Sequence, residues 1–439
     1  MKSPGRNIVF VILTAGAALS GCSKVPHYEL SRFIDPETCG GCHETIYQQW
    51  KNSLHNLSHV DPVYREVSLH DLKNLTDRDE IKEAEHCVAC HTPIGFVSGM
   101  PAKTSDHVKQ IPELAQKGIQ CDFCHSATGA RKIYNAEIDL DPGNGDADPG
   151  TKRGPYRDSR SDYHVSAYSA FHTRSEICGV CHDVRHVVFG TKLETPYEEW
   201  KRGPYAARGI QCQGCHMYQR PGIPATGSTA RPDNPGEAAA GGPARGHVFT
   251  HYFVGGNTLV PPLFGNREQA TMAEERLKNA ATIKIDDTIS GGILKITVTN
   301  TGAGHAIPTG LSHVRQIWLE VTVTGPGGKV LFQSGKPDAA GVIGPSAIIY
   351  NTVFGDGNGR PVMNVAKARL ILKDRRIGPM QSVSESYRLP VIRVRPVAAE
   401  VKLWYRIAPQ ELVDSVLGKG KLKIPAVLMA SDKTTLTVK

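Results

Sequence analysis

The chain has 439 residues, enough for two or three domains, with an ordinary 40% hydrophobic content. Beyond its N-terminus no apolar run looks long enough to cross a bilayer, which excludes a polytopic membrane protein. The formal net charge of +8 would suit a nucleic-acid partner, but the cysteine pattern gives that charge another meaning.

In chain order, Lys2 and Arg6 precede an apolar run from Ile8 to Ala18, which ends in Leu19-Ser20-Gly21-Cys22. A charged start, a short apolar stretch and small residues before a cleavage point predict a signal peptide over residues 1–21. The run is too short to span a bilayer comfortably, which takes about 20 residues. Leu-Ser-Gly-Cys resembles the lipobox of bacterial lipoproteins. That resemblance implies cleavage before Cys22 and acylation of its sulfur, giving a lipid anchor to a membrane. Ser23, where an Asp commonly signals inner-membrane retention, favours the outer membrane. Residues 22–30 are then a tether.

Residues 31–265 carry the chemistry. Of 11 cysteines, ten form five C-x-x-C-H motifs: Cys39–Cys42–His43, Cys87–Cys90–His91, Cys121–Cys124–His125, Cys178–Cys181–His182 and Cys212–Cys215–His216. This is the attachment signature of c-type haem. Two thiols three residues apart reach both vinyl groups of one porphyrin, and the adjacent histidine lies under the iron as its axial ligand. Zinc held by paired C-x-x-C motifs does not explain why a histidine follows every second cysteine. Five haems are expected, and no cysteine remains for a disulfide. Their propionates offset the basic residues, so no nucleic-acid partner is expected. There are too few residues per haem for an ordinary core. The haems must supply much of the buried apolar surface, wrapped in short helices and loops, and without them this part should not fold. Two breaker-rich stretches, 141–154 and 221–246, are expected to be loops. The group Asp139, Asp141, Asp146 and Asp148 is a candidate calcium site, although a solvated loop is the simpler reading.

A linking helix is expected within residues 266–280, at Gln269–Asn279. Residues 281–439 then change to period-two alternation with β-branched residues. Strands are expected at Ala281–Ile289, Ile293–Asn300, Gln316–Thr324, Lys329–Gly335, Ser382–Pro390, Glu400–Ile407 and Ala426–Val438. Gln410–Leu417 is expected to be a short helix. The predicted fold is α+β multidomain: a haem-wrapped, mostly helical and loop N-terminal domain followed by an antiparallel β-sandwich.

A carrier haem is usually six-coordinate. With 7 methionines against 18 histidines, bis-histidine ligation and low potentials are favoured. The distal candidates are His55, His164, His172, His251 and His305. His55 follows a helical stretch with His59 one turn on, and His172 precedes Cys178 by six residues. His251 has His247 as its rival. His305 lies in Asn300-Thr301-Gly302-Ala303-Gly304-His305-Ala306-Ile307-Pro308, where glycines remove bulk and a proline stiffens the turn. If it ligates, the haem-free C-terminal domain closes over the haem domain. His186 and His313 are reserves; His27, His70, His86 and His107 are expected on the surface.

Several segments resemble multihaem, including pentahaem, c-type cytochromes of respiratory bacteria, outer-membrane lipoproteins of metal-reducing species among them. They are Trp50…Ser53…His55, Gly118-Ile119-Gln120-Cys121-Asp122-Phe123-Cys124-His125, Cys178-Gly179-Val180-Cys181-His182-Asp183-Val184, Thr195-Pro196-Tyr197-Glu198-Glu199-Trp200 leading into Cys212–Met217, His251–Asn257 and Asn300–Gly310. The resemblance implies electron transfer through stacked bis-histidine haems. An electron carrier of extracytoplasmic anaerobic respiration is therefore expected, in the periplasm or on the cell exterior. Its partners would be other redox proteins, an extracellular acceptor, or a cytochrome or porin complex. The alternative is an oxidoreductase acting on a small nitrogen or sulfur compound at one open iron. Pentahaem nitrite reductases carry a C-x-x-C-K motif, which this chain lacks.

Overall fold

The computed structural model describes residues 27–108 and 110–439. The expected signal segment and Cys22 lie outside the described residues.

The N-terminal half consists of short helices tied by loops. Its longer pieces are α1 (Glu44–Lys51), α2 (Pro62–Leu72), α3 (Arg78–Ala84) and α4 (Pro196–Lys201). Asp61 caps α2 by accepting from the Val63 and Tyr64 amides, and Asp77 caps α3 through Asp79 and Glu80. The attachment motifs fall on single turns such as Val88–His91, Cys121–His125 and Gln213–His216. Isolated turns of this length are unstable in water, so tertiary contacts must hold them. The protein core offers little: the apolar cluster here has eight buried residues, among them Phe33, Ile94, Phe123 and Phe171. That is far too few for more than 200 residues and agrees with the expectation that a cofactor fills the interior.

The breaker-rich loops contain small pieces of sheet. Thr151–Gly154 pairs in parallel with Val165–Tyr168, and Gly236–Glu237 pairs with Ala244–Arg245. The linking helix, α5, runs over Arg267–Lys278, capped by Asn266.

The C-terminal strands are β1 (Ala281–Ile285), β2 (Thr288–Ile289), β3 (Ile293–Asn300), β4 (Gln316–Thr324), β5 (Val330–Ser334), β6 (Ile349–Tyr350), β7 (Thr352–Gly355), β8 (Pro361–Val362), β9 (Leu370–Asp374), β10 (Ser382–Arg388), β11 (Val397–Arg406) and β12 (Val427–Val438), with α6 at Gln410–Leu417. One sheet has the order β2-β12-β11-β4-β5, with β6 added on β4; a second has β10-β3-β1. Alternation decides the packing. Leu294, Ile296 and Val298 of β3 and Ile317, Leu319, Val321 and Val323 of β4 turn into one apolar core together with Val397, Val401 and Leu403 of β11.

Three details depart from the sequence expectation. The first strand breaks at Asp286–Asp287 into two pieces. One pairing, Thr288–Ile289 on Thr437–Val438, is parallel, so the sheets are not wholly antiparallel. A third sheet, β8-β7-β9, lies in a stretch where no strand was expected. Its β9 is exposed along its whole length and lacks the alternation that marks a half-buried strand.

Leu403 is fully buried between β4 and β12. Leu403→Ala should cost about 2–5 kcal/mol, seen as a lower urea midpoint with an unchanged slope.

Candidate functional site

The histidines of the five motifs are held alike. His43 Nδ1 donates to the Ala238 carbonyl (2.6 Å), His91 to Ser58 (3.0 Å), His125 to Arg153 (2.5 Å) and His216 to Val254 (2.8 Å). A carbonyl only accepts, so in each ring the proton sits on Nδ1 and the Nε2 lone pair is free. That is the tautomer a metal-ligating histidine adopts, oriented by its other nitrogen. His182 differs, with Nδ1 3.7 Å from the Glu194 carboxylate. The breaker-rich loops supply two of these anchors, Arg153 and Ala238, and the Ala240 amide also donates to the Cys42 carbonyl. Loops that look like spacers in the sequence thus position the first and third motif histidines.

Opposite three of these rings stands a second imidazole. Ring centres are 6.3 Å apart for His55 and His182, 6.4 Å for His125 and His251, and 6.4 Å for His216 and His305, with interplanar angles of 24°, 26° and 19°. Two imidazoles bound on opposite faces of one iron, each nitrogen about 2 Å from it, have ring centres about 6 Å apart. The spacing therefore fits bis-histidine haem. His251 and His305 also donate Nδ1–H to carbonyls, of Phe249 and Ala306. Burial holds His55 and His251 neutral, each with its pKa pushed down to about 3, and the neutral ring is the ligand form. The His182 side chain is 54% accessible although it sits deep in the molecule, so it lines an internal cleft. These residues fit c-type haem.

The remaining candidates are placed differently. His172 lies on a separate turn, Ala170–Thr173, and not on the helix of Cys178. Its ring centre is 5.6 Å from His125, its Nε2 donates to the Cys124 carbonyl, and its buried Nδ1 has no partner. His164 is partly exposed, with Nδ1 on the Val165 carbonyl. The rival His247 stacks on Tyr218 at 3.8 Å. His186 uses both nitrogens: Nε2 donates to Ala366, and Nδ1 accepts from the Val188 and Phe189 amides. His86, expected on the surface, is half-buried against Phe96. The candidate calcium acids diverge, Asp139 to Arg131, Asp141 to Arg153, Asp146 to Tyr163 and Asp148 to Asn144. Among the described residues no three metal-ligating side chains converge.

A repeat in the sequence explains part of this geometry. Cys39-Gly40…His43, Tyr47-x-x-Trp50-Lys51 and Gly118-Ile119-Gln120-Cys121…His125 recur as Cys178-Gly179…His182, Tyr197-x-x-Trp200-Lys201 and Gly209-Ile210-Gln211-Cys212…His216. The structure repeats with it. Trp50 Nε1 donates to the Ile119 carbonyl and Trp200 Nε1 to that of Ile210, both at 2.7 Å. Tyr47 meets Trp50 at 5.9 Å, and Tyr197 meets Trp200 at 5.7 Å. The thiols of Cys39 and Cys121 lie against one another, as do those of Cys178 and Cys212. A third such contact joins Cys90 to Cys181. Gly118 serves the first unit: it has φ +60°, and a Cβ there would collide with the His55 carbonyl. The units diverge at one register position. His55 stands five residues after Trp50, and Tyr205 stands five after Trp200.

Tyr205 instead meets the C-terminal sheets, its hydroxyl donating to the Thr301 carbonyl (3.2 Å). Here the His305 loop is fixed to α4. Glu199 accepts from the Ala306 amide (2.8 Å) and pairs with Arg376 (2.7 Å). Buried Asn300 donates to the His305 and Ile377 carbonyls. Gly302 is required because a Cβ would strike the Asn279 carbonyl. Sequence reasoning found the His305 loop but missed Glu199 and Arg376. A basic residue 177 positions away leaves no local signal, whereas the internal repeat was there to find.

Residues 38–126 match the model of the family Cytochrome c554 and c-prime. A penta-heme cytochrome c552 from Thermochromatium tepidum has a similar fold, with TM-score 0.62 at 20% identity over 93% of this chain and 100% of that one. The CARDB domain of the PF1109 protein from Pyrococcus furiosus matches 36% of this chain and 86% of its own at 9% identity, but its TM-score of 0.15 carries no argument. No curated protein matches. The chain resembles multihaem c-type cytochromes, and the cofactor this resemblance implies is c-type haem with its iron.

Arg376 and Glu199 are 12% and 16% exposed, so Arg376→Ala leaves a buried carboxylate unpaired. It should cost about 3–5 kcal/mol in urea unfolding. Acid gives a second test. The folded pKa of His55 and His251 lies near 3, below the unfolded 6.5. The stability they lend is present above pH 6.5 and is lost as pH falls towards 3, which an acid titration followed by circular dichroism will register.

Proposed function

We propose that the protein is a pentahaem c-type cytochrome that transfers electrons outside the cytoplasm. The observation that carries this reading is the set of histidine pairs spaced at 6.3–6.4 Å behind C-x-x-C-H motifs. Each motif would hold one haem: Cys39/Cys42, Cys87/Cys90, Cys121/Cys124, Cys178/Cys181 and Cys212/Cys215 through sulfur, and His43, His91, His125, His182 and His216 through Nε2. When bound, each haem supplies a one-electron couple. His55, His251 and His305 are the distal ligands for the fourth, third and fifth sites. His172 and His164 stand nearest the third and first, through the ring contact with His125 and the electrostatic influence of His43.

The chain's own residues set which sites adjoin. Cys39 against Cys121 joins the first and third sites, Cys90 against Cys181 the second and fourth, and Cys178 against Cys212 the fourth and fifth. Cys124 also acts electrostatically on Cys178, which puts the third site beside the fourth. Such a row suits relay, and the imidazoles on both sides of three irons exclude substrate from them. In this reading residues 31–265 form the haem-wrapped domain, 266–280 the link and 281–439 a β-sandwich that donates His305. Acylated Cys22 tethers the molecule to the outer membrane, where it meets other redox proteins or an extracellular acceptor.

The mature protein should weigh its acylated polypeptide plus five haems, show low-spin signals alone in electron paramagnetic resonance (EPR), and give no CO-induced shift after reduction. A mass with fewer haems contradicts the reading. A CO adduct would indicate an open iron and favour an oxidoreductase.

A further inference from the structure

The fourth and fifth attachment sites carry opposite fixed charges. At the fourth, His182 Nδ1 faces the Glu194 carboxylate at 3.7 Å, which is 16% exposed. Glu194 ends the strand Lys192–Glu194, whose pairing partner Val184–Arg185 begins two residues after His182. Sheet register therefore holds the carboxylate in place. Its charge also reaches Cys90 and His91 of the second site.

At the fifth site the counterpart interaction is neutral, because His216 Nδ1 donates to the Val254 carbonyl. The nearby charge is positive. Arg276 on α5 donates from Nη2 to the Cys215 carbonyl (3.0 Å), its Nε is buried without a partner, and it acts electrostatically on both His216 and His305. Arg231 adds a second cation beside Cys215. The carboxylate nearest His305, Glu199, is already paired with Arg376 at 2.7 Å, which largely cancels its field.

These charges act on iron in opposite directions. A carboxylate accepting from an axial histidine makes that ring a stronger donor and favours the ferric state. A buried unpaired cation favours the state with one positive charge fewer, the ferrous. We propose that Glu194 and Arg276 are potential-setting residues that grade the last two sites, so that the fifth is poised above the fourth and electrons settle beneath the β-sheets that supply His305. The inference rests on the pentahaem reading.

The test is a potentiometric titration of the full mature holoprotein, with each haem followed by its EPR signal and haem content checked by mass. Glu194→Gln should raise the reduced-to-oxidised ratio of one haem about tenfold at fixed potential, equivalent to about 59 mV for one electron. Arg276→Gln should lower that of another by a similar factor, and Arg276→Lys, which keeps the charge, should restore it. Unchanged potentials in five-haem Glu194→Gln protein overturn the proposal even if Arg276→Gln matures poorly. So does an Arg276→Lys shift as large as that of Arg276→Gln, since packing and not charge would then be responsible. Fewer than five haems in the parent protein would instead overturn the reading beneath it.

Discussion

The N-terminal half depends on one small interaction made repeatedly: an imidazole Nδ1–H given to a fixed acceptor. It puts the free lone pair of each motif histidine on Nε2 and aims it. The acceptors come from far along the chain, with Ala238 lying 195 residues from His43. Each such bond therefore fixes a ligand and also closes a long loop. With only eight residues in the apolar cluster here, these bonds and the cofactor between paired rings take the place of an ordinary core.

The C-terminal half obeys different physics. Its sheets bury alternating side chains in one large core and owe nothing to the motifs. The two halves meet at Glu199, Arg376, Asn300 and Gly302, which deliver His305 to within 6.4 Å of His216. The repeat shows why that loop is needed. In the first unit His55 reaches forward to His182; in the second the same register holds Tyr205, and the ring opposite the last motif histidine comes from the sheets.

Much of this was legible in the sequence. Spacing marked the motifs, and period-two alternation located β3 and β4 to the residue because each has one face buried. Glycines around His305 marked a close approach that the Asn279 carbonyl and the Tyr205 ring explain. Other features left no such trace. β9 is exposed on both faces, so it has no alternation to detect. His55, His172 and His251 look alike as lone histidines; what separates them is which ring nitrogen a distant carbonyl engages. Glu194 and Arg276 read as surface charges until the fold sets them beside axial rings.

The most direct measurement is iron anomalous diffraction from crystals of the mature protein. The account predicts iron midway between His55 and His182, between His125 and His251, and between His216 and His305, with the imidazole of His305 bound to the last. Iron absent from those midpoints, or His305 turned away from the fifth site, would contradict it.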